Sequence, residues 1–389
     1  MSDWQTKRLG DILQLNYGKS LSVKNRVEGG IPVYGSNGIV GSHNEAIVDV
    51  PGLVVGRKGS AGQIHRSLGP FCPIDTTFYV TAVDAPETDL EFLFYLLRHI
   101  DLTRITGDVG VPGLNREMAY METVRFPAAL PEQKKIAHIL STVQRAIEAQ
   151  DQIIQTTTEL KRALMHKLFN EGLRGEPQKQ TEIGLVPESW EVVELGTFCR
   201  VQSGFAFRSQ DYVKGEGGIP ITKIGDIQDG SVFYTEKSSY VPKEFWGDRR
   251  LDQFKLQSGD VLIALTGATT GKSGVFQHSF RAFLNQRAGR FLPDDEGLKR
   301  SFLPFLVRQP YFQIEISSNI LVAAQGNISP KRIEKIKVGL PEPSVQEEIA
   351  SSLDALDRKV ACSQAKRTAF QDLFRTLLHE LMTAKTRVV

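Results

Sequence analysis

Two similar halves follow one another along the 389-residue chain, and this repetition constrains the fold more than any other feature of the sequence. The pattern W-x4-LG at Trp4 recurs at Trp190, and later matches follow in the same order. The offset between matched residues never falls and rises from 186 to 213, which places longer loops in the second half. Such collinearity predicts a tandem duplication. The matched pairs are Trp4 and Trp190, Gly29 and Gly217, Leu53 and Val261, Phe92 and Phe302, Gln133 and Gln346, and Leu164 and Leu377.

Each copy divides into a mixed domain and a long helix. Residues 1–130 and 189–343 contain short β-branched or aromatic runs between glycine turns, with one apolar helical run near the end, which is typical of mixed α/β domains. After the proline boundaries at 127–131 and 341–343 the chain has no Gly or Pro for about 40 residues, and residues 131–170 and 344–389 are each predicted to form one long helix. Residues 171–188 are polar and predict an exposed linker. The predicted fold class is therefore α+β, a tandem repeat of domain and helix.

Both predicted helices carry a narrow apolar stripe. Apolar residues recur there at intervals of three, four or seven, which suits helix pairing better than burial under a sheet. A single long helix would expose its stripe, so we expect the two helices to pair as an antiparallel coiled coil. The alternative is that each helix only caps its own domain. The predicted pairing residues are Ile136, Leu140, Val143, Ile147 and Ile154 in the first helix, and Ile349, Leu353, Leu356 and Val360 in the second.

The composition is that of an ordinary globular protein. Apolar residues make up 41% of the chain and charged residues 24%, and no stretch approaches the ~18 consecutive apolar residues of a membrane span. Residues 1–10 lack the apolar core of a secretory signal, so a cytoplasmic location without membrane contact is expected. Cys72, Cys199 and Cys362 are too widely separated for a metal site or a disulfide framework. We expect them to be reduced thiols in the core.

No catalytic or cofactor-binding motif is complete in this sequence. Thr266–Ser273 follows an apolar strand as a phosphate-binding loop does, yet Thr266 stands where GxxxxGK[ST] needs its first glycine. The equivalent Gly56–Gly62 of the first copy has no GK[ST]. The histidines and cysteines lack metal-ligand spacing, and neither GxSxG nor a GxGxxG after a strand occurs. We therefore expect a binding protein that is not an enzyme and has no metal or cofactor site of its own.

Polar and basic glycine loops occur at matching places in both copies. The formal net charge is only +2, so any nucleic-acid binding has to rest on such local patches. Lys and Arg bind phosphates or guanine edges and Asn and Gln read adenine, so the loops together fit double-stranded DNA. The candidate DNA-binding residues are Lys19, Ser20, Lys24, Tyr34, Ser36, Asn37, Arg57, Lys58, Ser60, Asn115 and Arg116 in the first copy, and Phe205, Arg208, Lys223, Thr266, Thr269, Thr270, Lys272, Gln325, Asn327 and Lys331 in the second.

Four segments together resemble the specificity subunit of type I restriction-modification systems. The two helix openings, LPEQKKI at residues 130–136 and LPEPSVQEEI at residues 340–349, are similar to those of this family. So are QGNIS at residues 325–329 and TEIGLVPESWE at residues 181–191. The resemblance covers essentially the full chain, and the helix openings and TEIGLVPESWE are its specific parts.

The resemblance implies two target recognition domains, each reading one half of a bipartite DNA site, with the helices setting the gap between the halves. It also implies that each unit docks one of two methyltransferase subunits, which bind S-adenosylmethionine and methylate adenine. Separate restriction subunits would use ATP and magnesium to translocate and cleave DNA. The copies differ where PGLNRE at 112–117 faces QGNISP at 325–330, which suggests a different approach of the first domain to DNA.

Three other functions stay open from the sequence. A specificity subunit of a methylation-only system would have the same recognition role without a nuclease. A protein scaffold built on the coiled coil would not bind DNA, and would not need two large loop-bearing domains. A stand-alone enzyme would need a catalytic constellation that no motif in the chain supplies.

Overall fold

Two units divide the chain, and their boundaries fall inside both long helices. A computed structural model describes residues 4–105, 113–213, 217–322 and 327–388. The first unit comprises Met1–Ile154 and Cys362–Val389, and the second comprises Gln155–Ala361. Each unit therefore contains one mixed domain together with part of both helices. The α+β class predicted from the sequence is confirmed.

The mixed domain of the first unit is built on three small sheets. A four-stranded sheet has the order β2-β8-β5-β6, a three-stranded sheet has the order β4-β3-β7, and β1 pairs with β9. The central strand β5 is buried along its whole length because it is covered on both faces. The strands are β1 (Trp4–Arg8), β2 (Asn16–Tyr17), β3 (Ile31–Gly35), β4 (Gly38–His43), β5 (Gly52–Gly56), β6 (Ile64–Ser67), β7 (Cys72–Pro73), β8 (Thr77–Thr81) and β9 (Thr123–Pro127).

Two helices complete this mixed domain before the first long helix. Helix α1 (Leu90–Ile100) is the predicted apolar run, and Asp89 caps it by accepting a hydrogen bond from the backbone N–H of Phe92. Its side chains from Phe92 to Leu97 are all buried in the main core. Helix α2 (Arg116–Met121) is short, and the long helix α3 then runs from Leu130 to Glu171.

The second unit repeats this plan with additional strands. Its six-stranded sheet has the order β13-β21-β18-β19-β16-β15, and three smaller sheets are β17-β14-β20, β12-β22 and the hairpin β10-β11. The strands are β10 (Gln178–Thr181), β11 (Gly184–Pro187), β12 (Glu191–Glu194), β13 (Cys199–Ser203), β14 (Ile219–Thr222), β15 (Ile227–Gln228), β16 (Gly230–Val232), β17 (Ser239–Val241), β18 (Asp260–Ala264), β19 (Ser273–Phe276), β20 (Phe283–Leu284), β21 (Ala288–Pro293) and β22 (Lys337–Leu340).

Four helices follow strand β21 along the chain, and the last of them continues from the second unit into the first. They are α4 (Leu303–Leu306), α5 (Pro310–Val322), α6 (Pro330–Glu334) and the long α7 (Pro343–Met382). Strands β15, β16 and β17 lie between β14 and β18, where the offset between the copies increases. The growth of the second copy therefore extends its sheets rather than adding a loose loop.

The segment predicted as an exposed linker, residues 171–188, contains the hairpin β10–β11. Leu185 on this hairpin is exposed, whereas Val186 and the following Trp190 are buried in the core of the second unit. Part of this polar segment is therefore folded onto the domain that follows it. The reason is that Val186 and Trp190 supply apolar area that the surrounding polar composition obscures.

The long helices pack against each other within each unit. In the first unit, Ile136 and Leu140 from the start of α3 share a core with Phe374 and Leu381 from the end of α7. In the second unit, Phe169 from the end of α3 shares a core with residues at the start of α7, Ile349 and Leu353. The pairing within each unit is therefore antiparallel. Ion pairs Asp151–Arg367, at 3.1 Å, and Lys161–Asp357, at 2.5 Å, join the same two helices.

The predicted pairing residues are not all equally buried. Ile136, Leu140, Ile147, Ile349 and Leu353 are at most 8% exposed, and the stripe residues Val143, Ile154, Leu356 and Val360 are half-buried. Ile136 and Leu140 also share their core with α1, so the start of α3 packs on its own domain and on α7 together. The predicted pairing and the alternative of a helix capping its domain both describe part of the packing.

Cys362 corrects the prediction for the cysteines. Cys72 and Cys199 are buried, but Cys362 is exposed on α7 because it lies away from the face of that helix that contacts α3. Burial raises the pKa of the Cys199 thiol to about 12, so this group is a neutral thiol at physiological pH. Among the described residues no helix is long and apolar enough to cross a membrane, and no cluster of His, Cys, Asp or Glu is suited to a metal.

A buried glutamine anchors each long helix to its own domain. The side-chain nitrogen of Gln133 donates to the backbone oxygens of Glu87 and Pro127, at 3.1 and 2.9 Å, and its oxygen accepts from the N–H of Asp89 at 2.7 Å. The amide nitrogen thus makes two hydrogen bonds and the amide oxygen one, and the side chain is 0% exposed. The amide joins the loop before α1, the end of β9 and the first turn of α3.

Gln346 makes the same three contacts in the second unit. Its side-chain nitrogen donates to the backbone oxygens of Gly297 and Pro341, at 2.8 and 2.9 Å, and its oxygen accepts from the N–H of Lys299 at 2.8 Å. The matched pair found in the sequence therefore corresponds to one repeated structural device. It explains why a polar residue stands at a fully buried position in both helix openings.

We predict that Gln133→Met and Gln346→Met each destabilise the chain by about 2–4 kcal/mol, because a thioether removes the partner of one buried and two partly buried backbone groups. Urea unfolding of each variant measures the effect. Gln364→Met, at an exposed position of α7, is the matched control and should leave the midpoint unchanged. A loss below 1 kcal/mol in both buried variants would show that the amide contacts do not anchor the helices.

Candidate nucleic-acid interface

Two basic loops of the first unit meet at the end of β5. The N–H of Leu114 donates to the backbone oxygen of Arg57 at 2.9 Å, and Lys58 forms an isolated bridge with Gly113. The N–H of Arg57 in turn donates to the backbone oxygen of Thr76 at 2.8 Å. These contacts bring residues 57–60 and 113–116, far apart in sequence, onto one surface.

Tyr17 lies between two arginine side chains at this junction. The guanidinium carbons of Arg57 and Arg116 are 5.2 and 5.0 Å from the centre of its ring, and Phe78 packs against it at 5.0 Å. The ring is 50% exposed. Cation–π contact holds the two guanidinium groups against the ring, and the Arg116 guanidinium also donates to the Glu117 carboxylate at 3.3 Å. The cluster joins two planar cationic groups and an aromatic face, the groups that bind phosphates and bases.

The other candidates of the first unit differ in their exposure and their contacts. Gly18, beside Tyr17, lies so close to Ile74 that a Cβ atom would be 2.1 Å from its backbone oxygen, so only glycine permits this approach. The side chain of Asn115 caps α2 by accepting from the N–H groups of Glu117 and Met118, which commits its oxygen to the helix. Exposed candidates are Lys19, Ser20, Lys24, Asn37 and Lys58, and Ser60 is half-buried.

Tyr34 and Ser36 correct the prediction from the loop chemistry. Both side chains are only 6% exposed. The hydroxyl of Tyr34 donates to the backbone oxygen of Arg66, and that of Ser36 donates to Thr76. Because strand β3 ends here with its side chains directed into the domain, these two residues hold the loops together and are not on the surface. Asn37, the next residue, is exposed.

The second unit has the same junction at the end of β18. The N–H of Ile328 donates to the backbone oxygen of Leu265 at 2.9 Å, and the N–H of Leu265 donates to that of Arg287 at 3.0 Å. Ser329 is the N-cap residue of α6 as Asn115 is of α2, although only the Asn115 side chain makes a capping hydrogen bond. The described parts of the two segments PGLNRE and QGNISP are therefore attached to their sheets in the same way, through Leu114 and Ile328. Asn327 and Lys331 beside this junction are exposed.

The loop that resembles a phosphate-binding loop is closed by its own hydrogen bonds. Gly267 and Gly271 have φ values of 80° and 89°, in the left-handed region that favours glycine. The Thr270 hydroxyl donates to the backbone oxygen of Gly267 at 2.6 Å, and the N–H of Lys272 donates to that of Thr269 at 3.0 Å. The loop is a compact turn. Thr266, Thr269, Thr270 and Lys272 are all half-buried.

Lys223 is committed to contacts within the second unit. Its ammonium donates to the Ser239 hydroxyl at 2.7 Å and lies 4.2 Å from the centre of the Tyr212 ring. The carboxylate of Asp226 accepts from the backbone N–H of Lys223, and burial raises the pKa of this carboxyl. Phe205 is half-buried and packs against a core cluster that contains Phe207, with 5.0 Å between the two ring centres. Lys223 and Phe205 therefore stabilise the loop.

Arg208 is exposed, and Gln325 lies outside the described residues.

Three surface residues at the two junctions were not among the sequence candidates. Tyr17 precedes the repeated Gly18, and the exposed pair Gln286 and Arg287 follows β20. Tyr17 could have been found from the sequence, because it stands beside Gly18, which is repeated in the second copy. Arg287 could not, because it reaches the second junction through a backbone hydrogen bond to Leu265, which is distant in sequence.

Comparison with known sequences identifies close relatives along almost the whole chain. The family model described as the type I restriction modification DNA specificity domain matches residues 1–158 and 187–369. The type I restriction enzyme MjaVIII specificity subunit of Methanocaldococcus jannaschii is 29% identical over 406 residues, which cover 99% of this chain and 93% of that protein. The type I restriction enzyme EcoBI specificity subunit of Escherichia coli is 22% identical over 200 residues, covering 51% and 39% of the two chains.

A solved structure shares the fold. The S subunit of a type I restriction-modification system from M. genitalium superimposes with a TM-score of 0.71, over 98% of this chain and 96% of that chain. The sequences are 17% identical. The similarity extends through both mixed domains and both long helices, so the tandem arrangement is common to the two folds.

Proposed function

The chain belongs to the family of DNA specificity subunits of type I restriction-modification systems, and from this premise we propose that each of its mixed domains reads one half of a two-part sequence in duplex DNA. The observation that carries the proposal is the repeated junction at the ends of β5 and β18. In both units it exposes basic or amide side chains on loops that a buried sheet supports. Rigidly supported loops with Arg, Lys and Asn suit recognition of phosphates and base edges.

The chain is the recognition subunit, and we propose that its partners supply the chemistry. Two methyltransferase subunits that bind S-adenosylmethionine would transfer the methyl group to adenine N6, and restriction subunits that use ATP and magnesium would cleave unmodified DNA. Methylation of a base within a duplex requires that the base leaves the stack, so the methyltransferase has to hold the extruded adenine. The absence of a complete catalytic motif in the sequence agrees with this division of labour.

The long helices supply the second part of the proposal. Each unit contains one mixed domain and an antiparallel stretch of the two helices, anchored by Gln133 or Gln346. A helix held by packing along one face and anchored at its first turn resists bending. We propose that the pair sets the number of base pairs between the two half-sites.

Mapping of N6-methyladenine across the genome, in cells with and without the gene for this chain, tests the function. The expected result is the loss of one gapped, two-part motif upon deletion, which also reveals both half-sites. If purified chain and methyltransferase assemble but no motif changes, and the complex shows no preference among duplexes, the recognition role is wrong.

Exchange of residues 1–130 for the corresponding domain of a relative should change one half of the motif and leave the other half intact. The physical reason is that the recognition loops of the first junction lie within this segment. The same methylation map measures the outcome, and the exchange of residues 189–343 is the reciprocal control. A change in both halves after a single exchange would contradict independent reading.

Insertion of one heptad into each long helix, after Ile154 in α3 and after Ala361 in α7, should change the gap and leave both half-sites unaltered. Seven residues add about 10 Å of helix at ~1.5 Å per residue and keep the apolar stripe in register. At about 3.4 Å per base-pair step the gap should change by up to about three base pairs. The same seven residues inserted between Leu68 and Gly69, in the exposed turn between β6 and β7, are the control and should not alter the gap.

Arg57→Ala and Arg116→Ala should each weaken binding of the assembled complex to its own duplex by about tenfold, since each removes a guanidinium from the Tyr17 cluster. Fluorescence anisotropy across a salt series measures the affinity. The magnitude of the slope of log binding constant against log salt concentration should decrease by about 0.9 for each phosphate contact that is lost. Arg174→Ala, an exposed arginine after α3, is the control. Equal affinity for all four proteins would exclude the cluster from the interface.

A further inference from the structure

A large apolar groove lies within the second unit, away from the loop junction. Its volume is about 900 Å³, and its walls come from the last turns of α3, the hairpin β10–β11 and the start of α5. Met165 and Phe169 line one side. Leu185 and Ile314 stand on the other sides, and 52% and 63% of their surfaces are exposed. Exposed apolar side chains around a concave surface are a feature of protein-binding sites.

The charged residues around this groove have one sign. Lys161, Arg162 and Arg308 line it together with His166, and no Asp or Glu is present among its described lining residues. Arg162 and His166 are exposed at the rim, whereas Lys161 is paired with Asp357. Burial lowers the pKa of Arg308 from its usual value, so neighbouring protein groups do not fully replace the hydration of this guanidinium. An occupant with carboxylates would match this surface.

Trp190 supplies an independent indication of the occupant's chemistry. Its ring is 1% exposed and lines the groove, and its indole nitrogen, a donor, has no hydrogen-bond partner. A buried donor without an acceptor destabilises the fold, because it has lost its hydration without gaining a hydrogen bond. No acceptor for this N–H is present among the described residues, and the nitrogen is also closed to solvent, so an acceptor from outside reaches it only when the side chains that cover it shift.

The matched tryptophan of the first unit shows which group fills this position. There the indole nitrogen of Trp4 donates to a carboxylate oxygen of Glu132 at 3.2 Å. Glu132 precedes the anchoring Gln133, and the residue that precedes Gln346 in the second copy is Val345. The second copy therefore retains the tryptophan but has lost the carboxylate that satisfies it.

We propose that this groove binds an apolar segment of a methyltransferase subunit that carries at least one Asp or Glu. The apolar side chains of the segment contact Met165, Leu185 and Ile314. A carboxylate accepts from the Trp190 indole in the place that Glu132 has in the first copy, and further acidic groups face Arg162 and His166. The identity of the partner rests on the proposed function; the apolar and acidic character of the segment rests on the groove.

Charge reversal at the rim tests the proposal on the full chain. Arg162→Glu and His166→Glu should each weaken binding of purified methyltransferase subunit by about tenfold or more, because they place like charges opposite the acidic segment. Lys167→Glu makes a similar change on an exposed side chain of the same helix that does not line the groove, and should bind as the unaltered chain does. Isothermal titration calorimetry measures all four affinities.

Trp190→Phe separates docking from folding. The variant keeps most of the buried ring but removes the unpartnered donor, so its urea midpoint should be equal to or higher than that of the unaltered chain. Binding of the methyltransferase subunit should fall about fivefold or more, since the acceptor on the segment loses its partner. A variant that folds normally and binds with unchanged affinity would overturn the role of Trp190.

Photo-crosslinking identifies the segment directly. A photoreactive amino acid at Leu185 or Ile314 should crosslink to one apolar, acid-containing segment of the methyltransferase subunit, and the same residue at Leu373, exposed on α7 in the first unit, should not. Crosslinks to a second copy of this chain, or to a basic segment, would overturn the proposal. If the unaltered chain binds the subunit but all groove variants do too, the inference fails while the proposed function stands. If the unaltered chain binds no methyltransferase subunit, both fail.

Discussion

The buried amide of Gln133, and its counterpart Gln346, is the contact from which the architecture of each unit follows. One side chain ties the first turn of a long helix to the end of a strand and to a loop of the mixed domain, with three hydrogen bonds each time. A polar group is costly at a fully buried position unless all its partners are in place, so the amide enforces one direction for the helix. The domain and the helix therefore form one body, and the loops at the ends of β5 and β18 are held on a defined support.

The two copies attach their loops to the sheet in the same way but expose different side chains on them. In both copies the segment before a short helix is bonded to the end of a central buried strand, although PGLNRE and QGNISP have few residues in common. Backbone hydrogen bonds make this attachment, and they tolerate a change of side chains. The first copy presents Tyr17 between two arginines, and the second presents a closed threonine-rich turn with Gln286 and Arg287 beside it. Two domains with one scaffold and different surface chemistry are suited to reading two different half-sites.

The copies also differ around their matched tryptophans. The first satisfies its tryptophan with Glu132, which Arg387 approaches from the C-terminal segment at 3.5 Å. The second leaves Trp190 without an acceptor beside an apolar groove with a positive rim. In a duplicated chain, loss of a carboxylate from one copy while its donor is retained removes stability unless another group compensates. The proposed acidic segment provides that compensation upon assembly, and the difference between the copies would then distinguish the two docking sites.

The order of residues alone determined the duplication, the α+β class, the two helix openings and the apolar stripes, because periodicity and repeated motifs are local properties of a chain. It did not determine which loop side chains reach the surface. Tyr34 and Ser36 have the composition of a recognition loop but are turned into the domain, and Lys223 is taken up by Ser239 and Tyr212. Conversely, Tyr17 gains its importance only from Arg57 and Arg116, which are distant in sequence. Exposure and pairing depend on which distant segments the tertiary structure brings together, and that information is absent from local pattern.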